Sequence, residues 1–460
     1  MDSAQTRSLN GTLSEYGRLL SVSRRCPDVS PYSALRSARG TERFYWADDR
    51  GSAAGFGIAA ELIAWGPDRF DTLRRQLERL FTGAVVDADG DRLRLVRVFG
   101  GFAFQDDFIP DRTWSIYAPA YFILPHYQIT QIEGHSWLTL NAHLAPEDDP
   151  SEALDQLRGA LDLRCAALLD ASCQLTASPP AAVRQVNYPM SYETWETIIH
   201  QATARIHDGE MQKVVLSRVC EVRLSEPVAV DAALAYLDQI YSGCYRFLFE
   251  PRPYHVFYGA TPELLARTDG DQFETMALAG SVRRGLTPAE DDNYALALLN
   301  DPKERHEHTL VVNALRDRLE PIASALNIPD RPTVLRLNNI QHLYTPVHGQ
   351  LLHPLGVLPL VERLHPTPAL GGAPRETALA FIRQAEPVPR GWYAAPIGWV
   401  DHRLDGTFAV AIRSAVSQDD RVWLYAGAGI VADSQPRQEW DETALKFRPM
   451  LNALGIQGVA

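Results

Sequence analysis

What the chain has little of narrows the possibilities first. Only five of its 460 residues are cysteine: Cys26, Cys165, Cys173, Cys220 and Cys244. Their number is odd, their spacing is scattered and no Cys-x-x-Cys occurs. This argues against a disulfide framework and a zinc site and suggests a reducing, cytoplasmic setting. No apolar run approaches the ~18 residues a membrane span needs. The opening Met1-Asp2-Ser3-Ala4-Gln5-Thr6-Arg7 lacks the basic-then-apolar pattern of a secretory signal. Positive charge is in short supply as well, and the formal net charge is -13. Such a balance opposes binding to nucleic acid or to an anionic membrane through a broad field. A small anion can still be held by a few local cations or a metal. Solenoid periods and low-complexity tracts are absent from the sequence.

What is there belongs to a globular protein. Hydrophobic residues make up 46%, enough for a sizeable core, and charged residues only 22%. Residues 176–190, around Pro179-Pro180, have neither helical nor alternating periodicity and read as a connector. Before it, Asp68 to Leu80 and Pro150 to Leu169 read as amphipathic helices, and Tyr121 to Ile132 and Ser136 to Ala142 as strands. After it, Ser191 is a good N-cap. Trp195, Ile198, Ile199, Ala202 and Ile206 then recur on one helix face, and Gly209 ends it. The strand Lys213 to Val219 follows. Tight-turn signals at Asp89-Gly90, Asp269-Gly270 and Asp405-Gly406 predict hairpins. The run Asp87 to Asp91 has the look of a calcium loop, but its twelfth position is Val98 and not Glu, so a hairpin turn is the better reading. Hairpins with long helices predict an α+β fold built on antiparallel sheets.

Several residues could carry chemistry. Glu304 and Glu307 are spaced i, i+3 at the start of one predicted helix, and Glu439 and Glu442 repeat the spacing in another. Residues three apart share a helix face. Two such pairs facing each other across a cleft repel unless a cation lies between them, and Mg²⁺, which favours carboxylates, waters and substrate oxygens, suits the place. The alternative is ordinary solvated carboxylates. Val422 to Ile430 reads as a strand entering a turn at Gly427 and Gly429, where backbone N–H groups can approach an anion; a plain tight turn is the alternative. In Phe408 to Ala415 a strand alternation puts Arg413 among alanines, with room to grip a planar anion or simply to face solvent. Lys213, at the head of an apolar strand, is either a desolvated base or a solvated strand end. Glu263 follows Pro262 and reads equally well as an acid or as a carboxylate at a helix N-terminus.

In this order, the segments resemble the chorismate-binding enzyme family. The matching stretches are Gln212 to Arg218, Gly259 to Arg267, Leu278 to Ser281, Lys303 to His308 and Gln341 to Leu343. They continue with His365 to Leu370, Gly391 to Trp399, Arg413, and Ala426 to Lys446. The resemblance is strong over residues 190–455 and looser before them, including Gly100 to Phe104. It implies an anthranilate synthase component I-like fold, two antiparallel sheets flanked by helices, with the active site between them. Residues 26–460 would then be one domain, an N-terminal lobe (26–175) and a catalytic lobe (191–460) joined by the connector, with residues 1–25 uninformative.

The resemblance also implies roles. Ammonia-using members usually have Gln in place of Lys213, and aminodeoxychorismate synthases a lysine in place of Ala279; no glutaminase domain or partner is expected here. Salicylate synthases tend to have Thr in place of Ala369. The pattern is that of isochorismate synthases, in which Lys213 would activate water and Glu263 would protonate the departing C4 hydroxyl of chorismate. Mg²⁺ would be held by Glu307 and Glu442 with Glu304 and Glu439 nearby. Arg413, Lys446 and the Gly427 and Gly429 backbone would bind a substrate carboxylate, with Ser281, His342 and Ala369 lining the pocket. A monomer is expected, and the pathway served, menaquinone or siderophore and salicylate synthesis, is left open.

Overall fold

The computed structural model describes residues 18–27, 29–87, 96–145, 148–172 and 181–456. Its strands form two sheets. The larger, of 13 strands, runs from Val183–Asn187 through Lys213–Leu224, Arg421–Ile430, Ser414–Gln418 and His255–Thr261 to the amino-terminal strands. The smaller, of 10 strands, includes Gln272–Arg283, Ile340–Leu351, Leu264–Asp269, Gly406–Val410, Pro396–Val400 and Val98–Phe102. Pairing is antiparallel among the described residues except where Leu20 meets Val85.

Strand periodicity explains why both faces of the large sheet are apolar. Phe44 and Trp46 enter one buried cluster, shared with the small sheet through Phe102, Phe122 and Phe408. Tyr45 and Ala47, pointing the other way, enter a second cluster with Ala34, Leu161, Leu234 and Phe447 of the covering helices. The cleft that matters lies between the sheets, at the end where the helices Pro302–Leu319 and Pro436–Ala453 begin.

Most expected elements are present. Helices span Arg69–Phe81, Pro150–Ser172 and Tyr192–His207, the last capped by Ser191 Oγ accepting from Thr194 N. Hairpins close at Asp269-Gly270 and Asp405-Gly406. The turn expected at Asp89-Gly90 lies outside the described residues, as does most of the Asp87 to Asp91 run.

Four expectations are corrected. The connector is not irregular throughout, because Val183–Asn187 adds an edge strand to Lys213–Leu224. The segment from Val422 makes no turn at its glycines; Arg421–Ile430 is one strand, with Gly429 opposite Val215 and Gly427 opposite Ser217. Phe408 to Ala415 is not one strand either. Gly406–Val410 belongs to the small sheet and Ser414–Gln418 to the large one, and the chain crosses between them through Arg413 at φ 50°. Finally, Cys26 and Cys165 are disulfide-bonded, 139 positions apart, which counts against a fully reduced chain. Sequence spacing cannot show that a helix returns to the end of the first strand. Among the described residues no helix is long and apolar enough to cross a membrane.

Candidate active site

Two crossings between the sheets deliver two functional side chains to the same place. The chain leaves the large sheet at Thr261 and enters the small one at Leu264, and Glu263 sits in that step. It returns through residues 411–413, carrying Arg413. The crossings are tied together by Val410 N donating to Glu263 O and Ala260 N donating to Arg413 O. Glu263 is thus not at a helix N-terminus, and Arg413 does not face solvent: both are buried.

The cleft is lined by Glu263, Ser281, His342, Ala369, Arg413, Gly427, Gly429 and Lys446, together with Glu304, Glu307, Glu439 and Glu442. The structure thus brings together all the residues singled out above except Lys213, which lies just behind the wall. Its side chain is fully buried, and Nζ donates to Glu307 Oε1 at 2.7 Å. The solvated-lysine reading is excluded by this burial.

The first turns of two helices supply the carboxylates. Asp301 caps one, its Oδ1 accepting from Glu304 N, so Glu304 and Glu307 lie on its opening turns. Pro436 starts the other, ahead of Glu439 and Glu442. A helix N-terminus favours negative charge, which partly offsets the crowding of four carboxylates. The rest is offset by amines. Lys213 pairs with Glu307, Lys446 with Glu442 at 2.5 Å and Lys303 with Glu439 at 3.3 Å. Glu304 Oε2 accepts from Ser281 N. The repulsion expected from the sequence is therefore relieved by lysines in this structure.

Missing side chains make this packing possible. A Cβ on Gly429 would lie 2.7 Å from Glu307 Oε1 and 3.0 Å from Lys213 Cε. A Cβ on Gly280, itself at φ 81°, would come within 3.1 Å of Glu304 Oε2. Gly429 thus makes room for the Lys213–Glu307 pair. Lys446 Nζ also donates to Gly427 O at 2.8 Å.

Burial sets the protonation pattern. It pushes the Glu263 carboxyl up to about 8, against the opposing pull of Lys213, Arg413 and Lys446. Glu304 is pushed up to about 7, by burial first and then by Glu307. Glu439 is raised by burial and by Glu442. Burial holds His342 well below the usual imidazole value, so the ring is neutral. With Nδ1 against Gly280 O, its Nε2 is a buried atom with no hydrogen-bond partner among the described residues. The Arg413 guanidinium has no hydrogen-bond or ion-pair partner among the described residues. A neutral acceptor and a buried unpaired cation in one cleft suit a ligand with hydroxyl and carboxylate groups.

Four carboxylates converging on one cleft offer the hard oxygen donors that a divalent cation takes. Among the described residues, however, no three His, Cys, Asp or Glu side chains come together as a ready cage. Oxygens of three of the four carboxylates are engaged by lysines and those of the fourth by a backbone N–H. Among the lining residues that sequence reasoning did not name as site members are Lys303 and Tyr393. Both lie inside the quoted matching stretches, and Lys303 directly precedes Glu304.

Comparison with known proteins agrees with this geometry. The family model described as chorismate binding enzyme matches residues 6–455. An isochorismate synthase of Bacillus subtilis is 32% identical over 95% of this chain and 93% of its own length. A salicylate biosynthesis isochorismate synthase of Pseudomonas aeruginosa is 36% identical over 91% of this chain and 86% of its own. Among solved structures, the menaquinone-specific isochorismate synthase of Escherichia coli covers 96% of this chain and 95% of its own, with TM-score 0.78 and 26% identity. Anthranilate synthase component I of Streptococcus pneumoniae, at 21% identity and TM-score 0.71, shares the fold. The chain belongs to the chorismate-binding enzyme family.

Proposed function

We propose that this protein is a magnesium-dependent isochorismate synthase, which adds water at C2 of chorismate and expels the C4 hydroxyl. The observation that carries the proposal is the buried Glu263 carboxyl, raised to about 8, with Lys213 the strongest of the charges acting on it. An acid protonated at neutral pH and an amine near it are the pair that an addition with elimination requires.

In this reading Glu263 gives its proton to the departing C4 oxygen, which leaves as water. Lys213 takes a proton from the incoming water, and the two ring double bonds each move one position, from C1=C2 and C5=C6 to C1=C6 and C4=C5. Lys213 acts as the neutral amine, once its Nζ has given up a proton and Glu307 has turned away from it. Arg413 and Lys446 hold one carboxylate of the substrate with the strand at Gly427 and Gly429. The unpartnered His342 Nε2 accepts from a hydroxyl. Ser281 and Ala369 shape the walls. Glu307 and Glu442, with Glu304 and Glu439 beside them, would hold Mg²⁺, which would orient and polarise the ring carboxylate. Residues 26–460 act as one domain, and the protein works in the cytoplasm as a monomer without a glutaminase. The Cys26–Cys165 bond is the observation that speaks against the cytoplasmic part.

The test is product analysis after incubation with chorismate and MgCl₂. Isochorismate alone supports the proposal. Salicylate with pyruvate would show that the reaction goes one step further, and unchanged chorismate would overturn the reading. Lys213→Ala should lose ~10²- to 10⁴-fold in turnover, the usual cost of removing a general base.

A further inference from the structure

Four carboxylates meet four cations around this cleft: Glu304, Glu307, Glu439 and Glu442 against Lys213, Lys303, Lys446 and Arg413. The lysines differ in how firmly they are held. Lys213 and Lys446 are tightly paired, at 2.7 and 2.5 Å, and their side chains are 1% and 14% exposed. Lys303 is set apart on both counts. Its Nζ is 3.3 Å from Glu439 Oε1, and its side chain is 31% exposed. It projects from the helix Pro302–Leu319 across to the helix Pro436–Ala453, so it bridges the two sources of carboxylate. No step of the reaction proposed above needs it.

The geometry points to Lys303 as a positioning residue that competes with the divalent cation for Glu439. This rests on the metal-site reading given above. In the metal-free protein the ammonium holds Glu439 in place and offsets the charge of the cluster. An entering metal displaces the loosest of the three ion pairs, and Lys303, alone in having an open path, swings to solvent. Glu439 is then free to accept from metal-bound water or to bind the metal directly. The lysine thus keeps the empty carboxylate cluster assembled and weakens its hold on the metal.

The test is Mn²⁺ binding to the full-length, substrate-free protein, followed by electron paramagnetic resonance. Lys303→Met should tighten Mn²⁺ binding by about twofold to fivefold, the range expected for loss of one partly exposed competing ion pair. Lys303→Arg, which keeps the charge, should bind as the wild type does. In a Glu439→Gln background the tightening should vanish, because the contested carboxylate is gone. Unchanged Mn²⁺ affinity in Lys303→Met, or tightening that persists in Glu439→Gln, would overturn the competition and leave the metal site standing. Failure of the wild type to bind Mn²⁺ would overturn both.

Discussion

Glu263 owes its proton to its burial in the step between two sheets, where no hydrogen bond among the described residues compensates the charge. Its carboxyl is raised from an ordinary 4.5 to about 8, so the folded state binds that proton more tightly than the unfolded chain. The stability this contributes is complete below pH ~4.5 and is lost as pH rises through about 8. Two results follow. The kcat/KM profile should fall on its alkaline side near pH 8, as the acid loses its proton. Glu263→Gln should lose ~10²- to 10⁴-fold in kcat, yet melt at a higher temperature than the wild type at pH 9 and at about the same temperature at pH 4. A profile flat to pH 9.5 would remove Glu263 from the role of acid. At the neighbouring wall, Gly429→Ala places a methyl group against both Glu307 and Lys213. Activity should drop by about 10- to 100-fold, the scale of a misplacement near 1 Å, with circular dichroism unchanged.

At the scale of elements, helix starts do different work in different places. Asp301 and Ser191 both cap helices, through Glu304 N at 3.0 Å and Thr194 N at 3.2 Å. Alanine at either should cost ~1 kcal/mol in chemical denaturation. Only Asp301→Ala should also raise the KM for Mg²⁺, because the turn it caps carries Glu304 and Glu307; an equal effect from Ser191→Ala would sink that distinction. The Cys26–Cys165 bond ties the helix Pro150–Ser172 to the end of the strand Arg18–Arg25. It closes a long loop, so Cys165→Ser should lower stability by about 2–4 kcal/mol. An unchanged melt in reductant, with two more thiols titrated, would contradict this.

For the molecule as a whole, stability and chemistry are separable. Far from the cleft, buried Arg43 joins Asp231, Glu250 and the carbonyl of Leu35, linking two helices to the large sheet. Arg43→Met leaves buried Glu250 without its counter-charge and Asp231 with Arg39 alone. It should cost about 3–5 kcal/mol while the remaining folded enzyme keeps its kcat. The larger division is between what local sequence carries and what only folding decides. Helix faces, caps and hairpin turns were readable because they depend on spacing of a few residues: Trp195 to Ile206, Ser191 and Asp269-Gly270 all lie where periodicity put them. The ordered segments around Lys213, Glu263, Glu307 and Glu442 likewise carried the family. Four things were not readable. The alternation of Phe408 to Ala415 is the same whether the strand continues or crosses to another sheet at Arg413. The glycines at 427 and 429 resemble a turn until the strand opposite shows what they make room for. The burial of Lys213 behind Glu307, 94 positions away, and the bonding of Cys26 to Cys165 depend on distant segments meeting. Periodicity and capping are local energies written in neighbouring residues. Desolvation and ion pairing depend on which surfaces face each other after the chain has closed, and only the tertiary structure determines that.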